Sequence, residues 1–118
     1  MNFRFKRDNY ISLEHLMNEN KTPLQYDNYK EYYFENRDGM WISGKHQWLF
    51  KFENGYGASV IKHYGSYGFE DDLFELGVIK FNKNNSWNLC YDTPITNDVI
   101  GYLTNEEVLE FLERIKNL

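Results

Sequence analysis

The Asn54-Gly55 dipeptide constrains the fold of this chain more than any other feature of its sequence. It lies between two segments, 48–53 and 56–63, in which apolar and polar residues alternate. Asn-Gly favours a two-residue type I′ turn, because both turn positions need a positive φ. The stretch therefore predicts a β-hairpin, and we expect the rest of the chain to pack on it.

A two-residue turn would also fix which residues of the hairpin face each other. Positions whose numbers sum to 109 would then pair, so that Trp48 opposes Ile61 and His46 opposes His63. Lys62 falls on the opposite face, which is predicted to point away from the core. The predicted core face consists of large apolar side chains and their cross-strand partners: Trp48, Phe50, Phe52, Gly57, Ser59 and Ile61.

The remaining hydrophobic patterns predict an α+β fold in one domain over residues 1–118. Residues 73–81 are apolar on both faces, as in a central strand, and residues 87–92 read as the next strand. Thr104 and Glu107 have the spacing of a capping box, which predicts a C-terminal helix. We expect an antiparallel sheet of four to five strands with this helix packed on one face.

Two N-terminal segments leave alternatives open. Residues 1–9 hold the one local basic cluster of the sequence. We interpret this segment either as a binding arm or as an edge strand or flexible terminus. Residues 11–19 have the apolar spacing of a short helix at the edge of the sheet. Residues 26–38 are rich in tyrosine, and their spacing suits a helix while their Tyr-Tyr-Phe run suits a strand.

Composition and charge narrow the classes of partner. The net charge of −5 argues against general affinity for nucleic acid and suits a partner with a basic surface. The single cysteine, Cys90, cannot form an internal disulfide, and the N-terminus lacks a signal-peptide pattern. Both observations favour a cytoplasmic location. No apolar run approaches the roughly 18 residues that span a bilayer, so we expect no membrane partner.

Tyrosines among carboxylates are the main candidates for binding. They occur in the segment 26–38 and in the loop 64–72, Tyr-Gly-Ser-Tyr-Gly-Phe-Glu-Asp-Asp. Tyrosine gives a large contact area at a small entropic cost, which suits protein recognition. The alternative is that these aromatics are ordinary half-buried residues of a small β domain. The predicted partner-binding residues are Tyr29, Tyr33, Tyr64, Tyr67, Glu70, Asp71 and Asp72, which we expect to share one face.

No catalytic, metal-binding or phosphate-binding motif is present in the sequence. The opposed pair His46 and His63 is the best candidate for a metal site, which Cys90 or Asp92 could complete. Two ligands alone bind a metal weakly, and the surroundings of Cys90 read as strand interior rather than as a reactive thiol site. We therefore predict no catalytic residue, no metal and no cofactor.

Two blocks of the sequence resemble a group of small uncharacterised proteins encoded by bacteriophages and prophages. They are NGYGASVIKHYGSYG, together with LFELGVIKF, and LCYDTPITNDVIGYLTNEEVLEFLERI, and the resemblance covers roughly residues 48–115. It implies a phage-encoded protein in the cytoplasm of a host bacterial cell, in a class that includes inhibitors of host enzymes and of defence systems such as CRISPR. It transfers no site residues.

The first functional hypothesis is accordingly a non-enzymatic binding protein, plausibly an inhibitor such as an anti-CRISPR. It would act on a host or defence-system protein through acidic, tyrosine-rich surfaces.

The first alternative is a small metal-binding protein or enzyme that uses His46 and His63. The second alternative is a nucleic-acid binder that uses the basic N-terminal arm. The sequence names neither the partner nor the oligomeric state.

Overall fold

The computed structural model describes residues 21–35 and 46–118. They form a six-stranded antiparallel sheet, two 3-10 helices and a C-terminal α-helix, which confirms the predicted α+β class. The strands are Tyr33–Phe34 (β1), Gln47–Lys51 (β2), Tyr56–Ile61 (β3), Phe74–Phe81 (β4), Trp87–Leu89 (β5) and Ile100–Leu103 (β6). The 3-10 helices are Asp27–Tyr32 and Phe69–Asp71, and helix α1 is Asn105–Lys116. The predicted helix over 11–19 and the arm 1–9 lie outside the described residues.

Strand β4 is the centre of the sheet, as the apolar run at 73–81 predicts. The strands follow the order β1-β2-β3-β4-β5, and β3 pairs with one edge of β4. The other edge of β4 pairs with β6 near Phe74 and Leu76 and with β5 from Ile79 to Phe81. This arrangement brings β6 and the loop that precedes β4 to the same end of the sheet.

The hairpin forms, but its turn differs from the prediction. Phe52 donates its N–H to Tyr56 O at 2.8 Å, and Gly55 donates to Phe52 O at 3.2 Å. These bonds enclose a three-residue loop in which Gly55 alone has a positive φ, of 85°. A three-residue loop with glycine at the left-handed position is the next most common hairpin connection after the two-residue turns. The predicted type I′ turn is therefore wrong.

The longer loop shifts the register of the hairpin by one residue. Paired positions sum to 108, so Trp48 opposes Val60 and not Ile61. Because side chains alternate between faces, this shift turns every side chain of β3 to the other side of the sheet. Ala58, Val60 and Lys62 therefore point towards the core, in place of Ser59 and Ile61.

The side chain of Asn54 has a role that the sequence did not indicate. Its amide nitrogen donates to the carbonyl oxygens of Ile115 at 2.9 Å and Lys116 at 3.1 Å. Its Oδ1 atom accepts from the N–H of Tyr56 at 3.0 Å. The last carbonyls of an α-helix have no partner within the helix, so Asn54 satisfies them while it closes the hairpin loop.

The core lies between one face of the sheet and helix α1, as predicted. Tyrosines of the 26–35 segment pack against this core from the β1 side, where the chain forms first a 3-10 helix and then strand β1. The described part of the tyrosine-rich segment is thus helical first and a strand afterwards, so that the helix and the strand alternatives are each correct for part of it. The sheet contributes Trp48, Phe50, Phe52, Ala58, Val60, Phe74, Leu76 and Val78, and the helix contributes Val108, Leu112 and Ile115. Within the described residues, no helix is long and apolar enough to cross a bilayer.

Helix α1 begins with the predicted capping box. Thr104 Oγ1 accepts from the N–H of Glu107 at 3.2 Å, and Glu107 Oε1 accepts from the N–H of Thr104 at 2.9 Å. Leu103 and Val108, on either side of the cap, are both buried in the core.

Removal of this cap should destabilise the protein modestly. Thr104→Ala leaves the amide of Glu107 without its acceptor and is expected to lower the free energy of unfolding by about 1 kcal/mol. Urea denaturation followed by circular dichroism measures the loss. Thr104→Ser keeps the hydroxyl and should unfold close to the wild type; an equal loss in both variants would contradict the capping role.

Candidate functional site

The loop 64–72 has a fixed backbone that leaves two of its tyrosines in solvent. Ser66 Oγ accepts from the N–H of His63 at 3.1 Å, and Ser66 donates its own N–H to His63 O at 2.8 Å. Leu73 N–H closes the other end by donating to Gly68 O at 2.9 Å. Phe69 turns into the protein, whereas Tyr64 and Tyr67 stay exposed. Tyr64 and Tyr67 are therefore exposed, as a binding loop requires, whereas Phe69 is a buried residue of the domain, as the alternative predicts.

This loop and Tyr102 of β6 enclose a cleft of about 300 Å³, which we name the tyrosine cleft. Tyr64, Tyr67 and Tyr102 are 53%, 60% and 59% exposed, respectively. The described residues that line it are Tyr64, Gly65, Ser66, Tyr67, Gly68, Phe69, Glu70, Asp71 and Tyr102. The sequence indicated the loop but not Tyr102, because only the pairing of β6 with β4 brings the two together.

A β-bulge places Tyr102 at the cleft. Gly101 and Tyr102 together oppose the single residue Glu75, because Phe74 pairs with Leu103 and Leu76 pairs with Ile100. Tyr102 takes a positive φ of 59°, which a non-glycine residue adopts only at a cost. The extra residue turns the Tyr102 side chain out of the sheet, where it remains mostly exposed.

Two glycines allow the loop and β6 to touch through their backbones. A Cβ atom on Gly68 would lie 2.9 Å from Tyr102 Cα, and one on Gly101 would lie 2.5 Å from Tyr67 Cβ. The N–H of Tyr102 also donates to Tyr67 O at 3.3 Å. Tyr67 and Tyr102 are thereby held as neighbours by two backbones in direct contact.

The charge of the tyrosine cleft is negative. Glu70 and Asp71 are exposed on its lining, and none of the described lining residues is a lysine, arginine or histidine. In the part of the chain that the structure describes, no cationic side chain pairs with either carboxylate. Lys21 lies beside two lining residues: its Nζ is 4.5 Å from the Phe69 ring centroid and 3.4 Å from the carbonyl oxygen of Glu70.

Asp72, the last predicted binding residue of the loop, has a structural role. Its carboxylate accepts from Lys62 Nζ at 2.9 Å, from Thr22 N–H at 2.8 Å and from Thr22 Oγ1 at 2.6 Å. Lys62 is only 2% exposed; its Nζ also donates to Thr22 O at 2.7 Å and lies 3.8 Å from the Phe74 ring centroid. This Lys62–Asp72–Thr22 network joins the hairpin, the loop and the N-terminal segment.

The network also determines the ionisation of Asp72. Partial burial alone would raise the pKa of this carboxyl. Hydrogen bonds from Thr22 and Lys62, together with the positive charge of Lys62, outweigh burial and lower the pKa from 3.8 to about 2. The Asp72 carboxylate is therefore occupied by bonds within the fold, whereas Glu70 and Asp71 remain exposed on the loop.

The tyrosines of the N-terminal segment do not join the cleft. Tyr29 is 9% exposed, and its hydroxyl donates to Glu113 Oε1 at 2.8 Å. Burial, with a smaller contribution from this bond, raises the pKa of Tyr29 to about 12. Tyr33 is half-buried on β1, where it stacks on Tyr26 at 5.1 Å, and strands β2, β3 and β4 separate it from β6. The prediction that all four tyrosines share one exposed face is wrong.

The residues considered for metal or thiol chemistry lie in an arrangement that differs from the predicted one. The shifted register pairs His46 with Lys62, whose N–H donates to His46 O at 3.0 Å, and the two histidine rings meet edge to face at 5.9 Å. Among the described residues, no three histidine, cysteine, aspartate or glutamate side chains group as metal ligands. Burial, and then a hydrogen bond to Asp92, raise the pKa of the Cys90 thiol, which opposes thiolate formation.

The candidate functional site is therefore the tyrosine cleft, where Tyr64, Tyr67, Glu70 and Asp71 from the prediction meet Tyr102. Its concave shape, exposed aromatic rings and exposed carboxylates suit recognition of a cationic group. Comparison of the chain with protein-family models, with curated proteins and with solved structures finds no match.

Proposed function

We propose that the protein is a non-enzymatic binding protein that holds a partner protein in the tyrosine cleft. The observation that carries this proposal is the exposure of Tyr64, Tyr67 and Tyr102 around one concavity. Tyrosines are enriched among the residues that dominate binding energy at protein interfaces. Three large aromatic side chains left more than half exposed at one place are typical of an interaction surface.

The partner in this proposal carries a basic surface. The chain has a net charge of −5, and the described lining of the cleft holds Glu70 and Asp71 but no cationic side chain. Opposite charges speed the encounter of two proteins, whereas buried aromatic contacts slow their separation. The two residue types of the cleft thus have separate roles, the carboxylates in association and the tyrosines in retention.

The resemblance of residues 48–115 to phage and prophage proteins supports a biological setting for this activity. We propose that the partner is a host or defence-system protein, and that the chain inhibits it by covering a functional basic surface in the bacterial cytoplasm. An anti-CRISPR activity is one form of this proposal, because the nucleic-acid-binding surfaces of such effectors are basic.

A capture experiment with matched variants tests the proposal. The immobilised chain is exposed to lysate of the host bacterium in three forms: the wild type, Tyr64→Ser with Tyr67→Ser, and Tyr91→Ser. Tyr91 is 49% exposed and lies outside the tyrosine cleft, so it controls for the loss of an exposed tyrosine.

We expect a partner retained in stoichiometric amount by the wild type and by Tyr91→Ser, and lost with the double variant. Retention by the double variant would place binding elsewhere on the chain. Failure of all three forms to retain a protein would contradict the proposed function.

The carboxylates should affect the rate of association with the captured partner. Glu70→Gln with Asp71→Asn is expected to slow association several-fold at low salt, and the difference should shrink at high salt because ions screen exposed charges. Surface plasmon resonance at two salt concentrations measures both rates. Glu53→Gln with Glu110→Gln removes two exposed carboxylates outside the cleft; an equal effect would show that only net charge matters.

A further inference from the structure

We propose that the tyrosine cleft receives an arginine side chain of the partner protein. This inference rests on the proposed function and deepens it, because it names the group that enters the cleft. A volume of about 300 Å³ accommodates one long side chain rather than a larger element of a partner. The chemistry of the lining determines which side chain.

The aromatic lining favours a cation. The faces of tyrosine and phenylalanine rings carry negative electrostatic potential and attract cationic groups that lie over them. Tyr67 and Tyr102 are neighbours through a backbone hydrogen bond, both with exposed side chains, and Tyr64 packs edge to face on Phe69 at 5.9 Å between centroids. The protein already uses this attraction at the cleft wall, where the ammonium group of Lys21 lies 4.5 Å from the Phe69 ring centroid.

The carboxylates of Glu70 and Asp71 reinforce this preference. They lie on the same lining as the tyrosines, and no cation among the described residues pairs with them. An anionic ligand such as phosphate would meet two carboxylates, and the nearby ammonium group of Lys21 pairs with neither of them. A neutral side chain would gain neither the charge interaction nor the cation–π contact. The lining therefore complements a positive charge.

Arginine fits this combination better than lysine does. Its guanidinium group is planar, so it can stack on a tyrosine ring and still donate two parallel hydrogen bonds to a carboxylate in its own plane. The ammonium group of lysine is a compact charge that is more strongly hydrated, and it gains less from stacking. A cleft with aromatic rings beside carboxylates uses both properties of arginine.

Because the backbone of Tyr102 is strained, its aromatic ring can be removed by a substitution that is not expected to destabilise the protein. Glycine adopts the observed φ of 59° without steric cost, so Tyr102→Gly relieves strain as it deletes the side chain. We expect its melting temperature to equal or exceed that of the wild type. A loss of binding in this variant would then report on the ring and not on unfolding.

A peptide titration tests the assignment. The ¹⁵N-labelled chain is titrated with acetyl-Gly-Arg-Gly-amide, with the same peptide containing citrulline and with the same peptide containing lysine. Citrulline has the shape of arginine but no charge. With the arginine peptide we expect saturable chemical-shift changes at the backbone amides of residues 64–71 and 102. The citrulline peptide should bind with about tenfold weaker affinity, which is the loss expected for two exposed cation–π contacts. The affinity of the lysine peptide should lie between these two.

The cleft variants complete the test. Tyr102→Gly and Glu70→Gln with Asp71→Asn should each weaken arginine binding several-fold, and Tyr91→Ser should leave it unchanged. Equal affinities for arginine and citrulline, or for arginine and lysine, would overturn the inference, and so would shifts confined to other parts of the chain or no saturable shift. The proposed function would survive each of these outcomes if partner capture still depended on Tyr64 and Tyr67.

Discussion

Asp72→Asn should lower the free energy of unfolding by about 2 to 3 kcal/mol, less than the roughly 3 to 5 kcal/mol for a fully buried ion pair that is broken. Lys62 is 2% exposed, and this change leaves its ammonium group buried without a counter-ion. The side chain of Asp72 is 42% exposed, and solvent screening reduces the loss. Asparagine tolerates the positive φ of 59° at this position, so the change isolates the charge.

The same carboxylate predicts how stability depends on pH. The pKa of Asp72 in the folded state, about 2, lies below its ordinary value of 3.8. A lowered pKa means that the stabilising contribution is complete above pH 3.8 and is lost as the pH falls towards about 2. Urea unfolding across this interval should show a smaller pH dependence for Asp72→Asn than for the wild type.

Two further variants separate the ion pair from general effects. Asp71→Asn changes the exposed neighbouring carboxylate and should alter stability by less than about 0.5 kcal/mol. Adding Lys62→Met to Asp72→Asn removes the unpaired buried charge and should restore part of the loss, because the methionine can pack against Phe74. A double variant no more stable than Asp72→Asn would contradict an electrostatic origin of the loss.

Gly57→Ala is the second change with a large expected effect. A Cβ atom on Gly57 would overlap the carbonyl oxygen of Phe50 on the adjacent strand and lie 3.0 Å from the Phe81 ring. The carbonyl belongs to the backbone of β2, so relief requires a shift of the strand itself. Overpacking of this kind costs about 1 to 3 kcal/mol, and we expect about 3 kcal/mol at this position in thermal or urea unfolding.

Gly77→Ala is the matched control for Gly57→Ala. Gly77 lies on β4 and pairs with Ser59 of β3, and its Cβ would lie 2.8 Å from a Leu89 methyl group. Leu89 is partly exposed, and its side chain can rotate away. We expect a loss of less than about 1 kcal/mol, since overpacking against a movable side chain costs little. Equal losses in both variants would contradict the close approach of β2 to Gly57.

The hairpin shows where sequence reasoning succeeded and where it failed. The alternation on both sides of Asn54-Gly55 predicted two paired strands, and Gly55 does take the positive φ. The loop length was the error, because Asn-Gly also fits a three-residue loop, in which the Asn54 side chain reaches the end of α1. That contact depends on tertiary structure, and one residue of register then decided that Lys62 is buried.

Sequence patterns predicted the structure correctly where the structure depends mainly on residues that are close in the chain. The capping box at Thr104 and Glu107 and the apolar run of β4 were correctly predicted because helix caps and central strands depend mainly on neighbouring residues. The tyrosine cleft could be predicted only in part. Tyr64 and Tyr67 belong to a local loop, whereas Tyr102 reaches them through a β-bulge, and Tyr29 is buried through its contact with Glu113.

Hydrogen–deuterium exchange of the captured complex tests the central claim most directly. If the tyrosine cleft holds the partner, exchange should slow at the amides of residues 64–72 and 100–103 when the partner is bound. Residues 87–92, which include the exposed control Tyr91, should exchange at the same rate in the free and bound chains. Slowed exchange confined to segments outside the cleft, with 64–72 unchanged, would contradict the account.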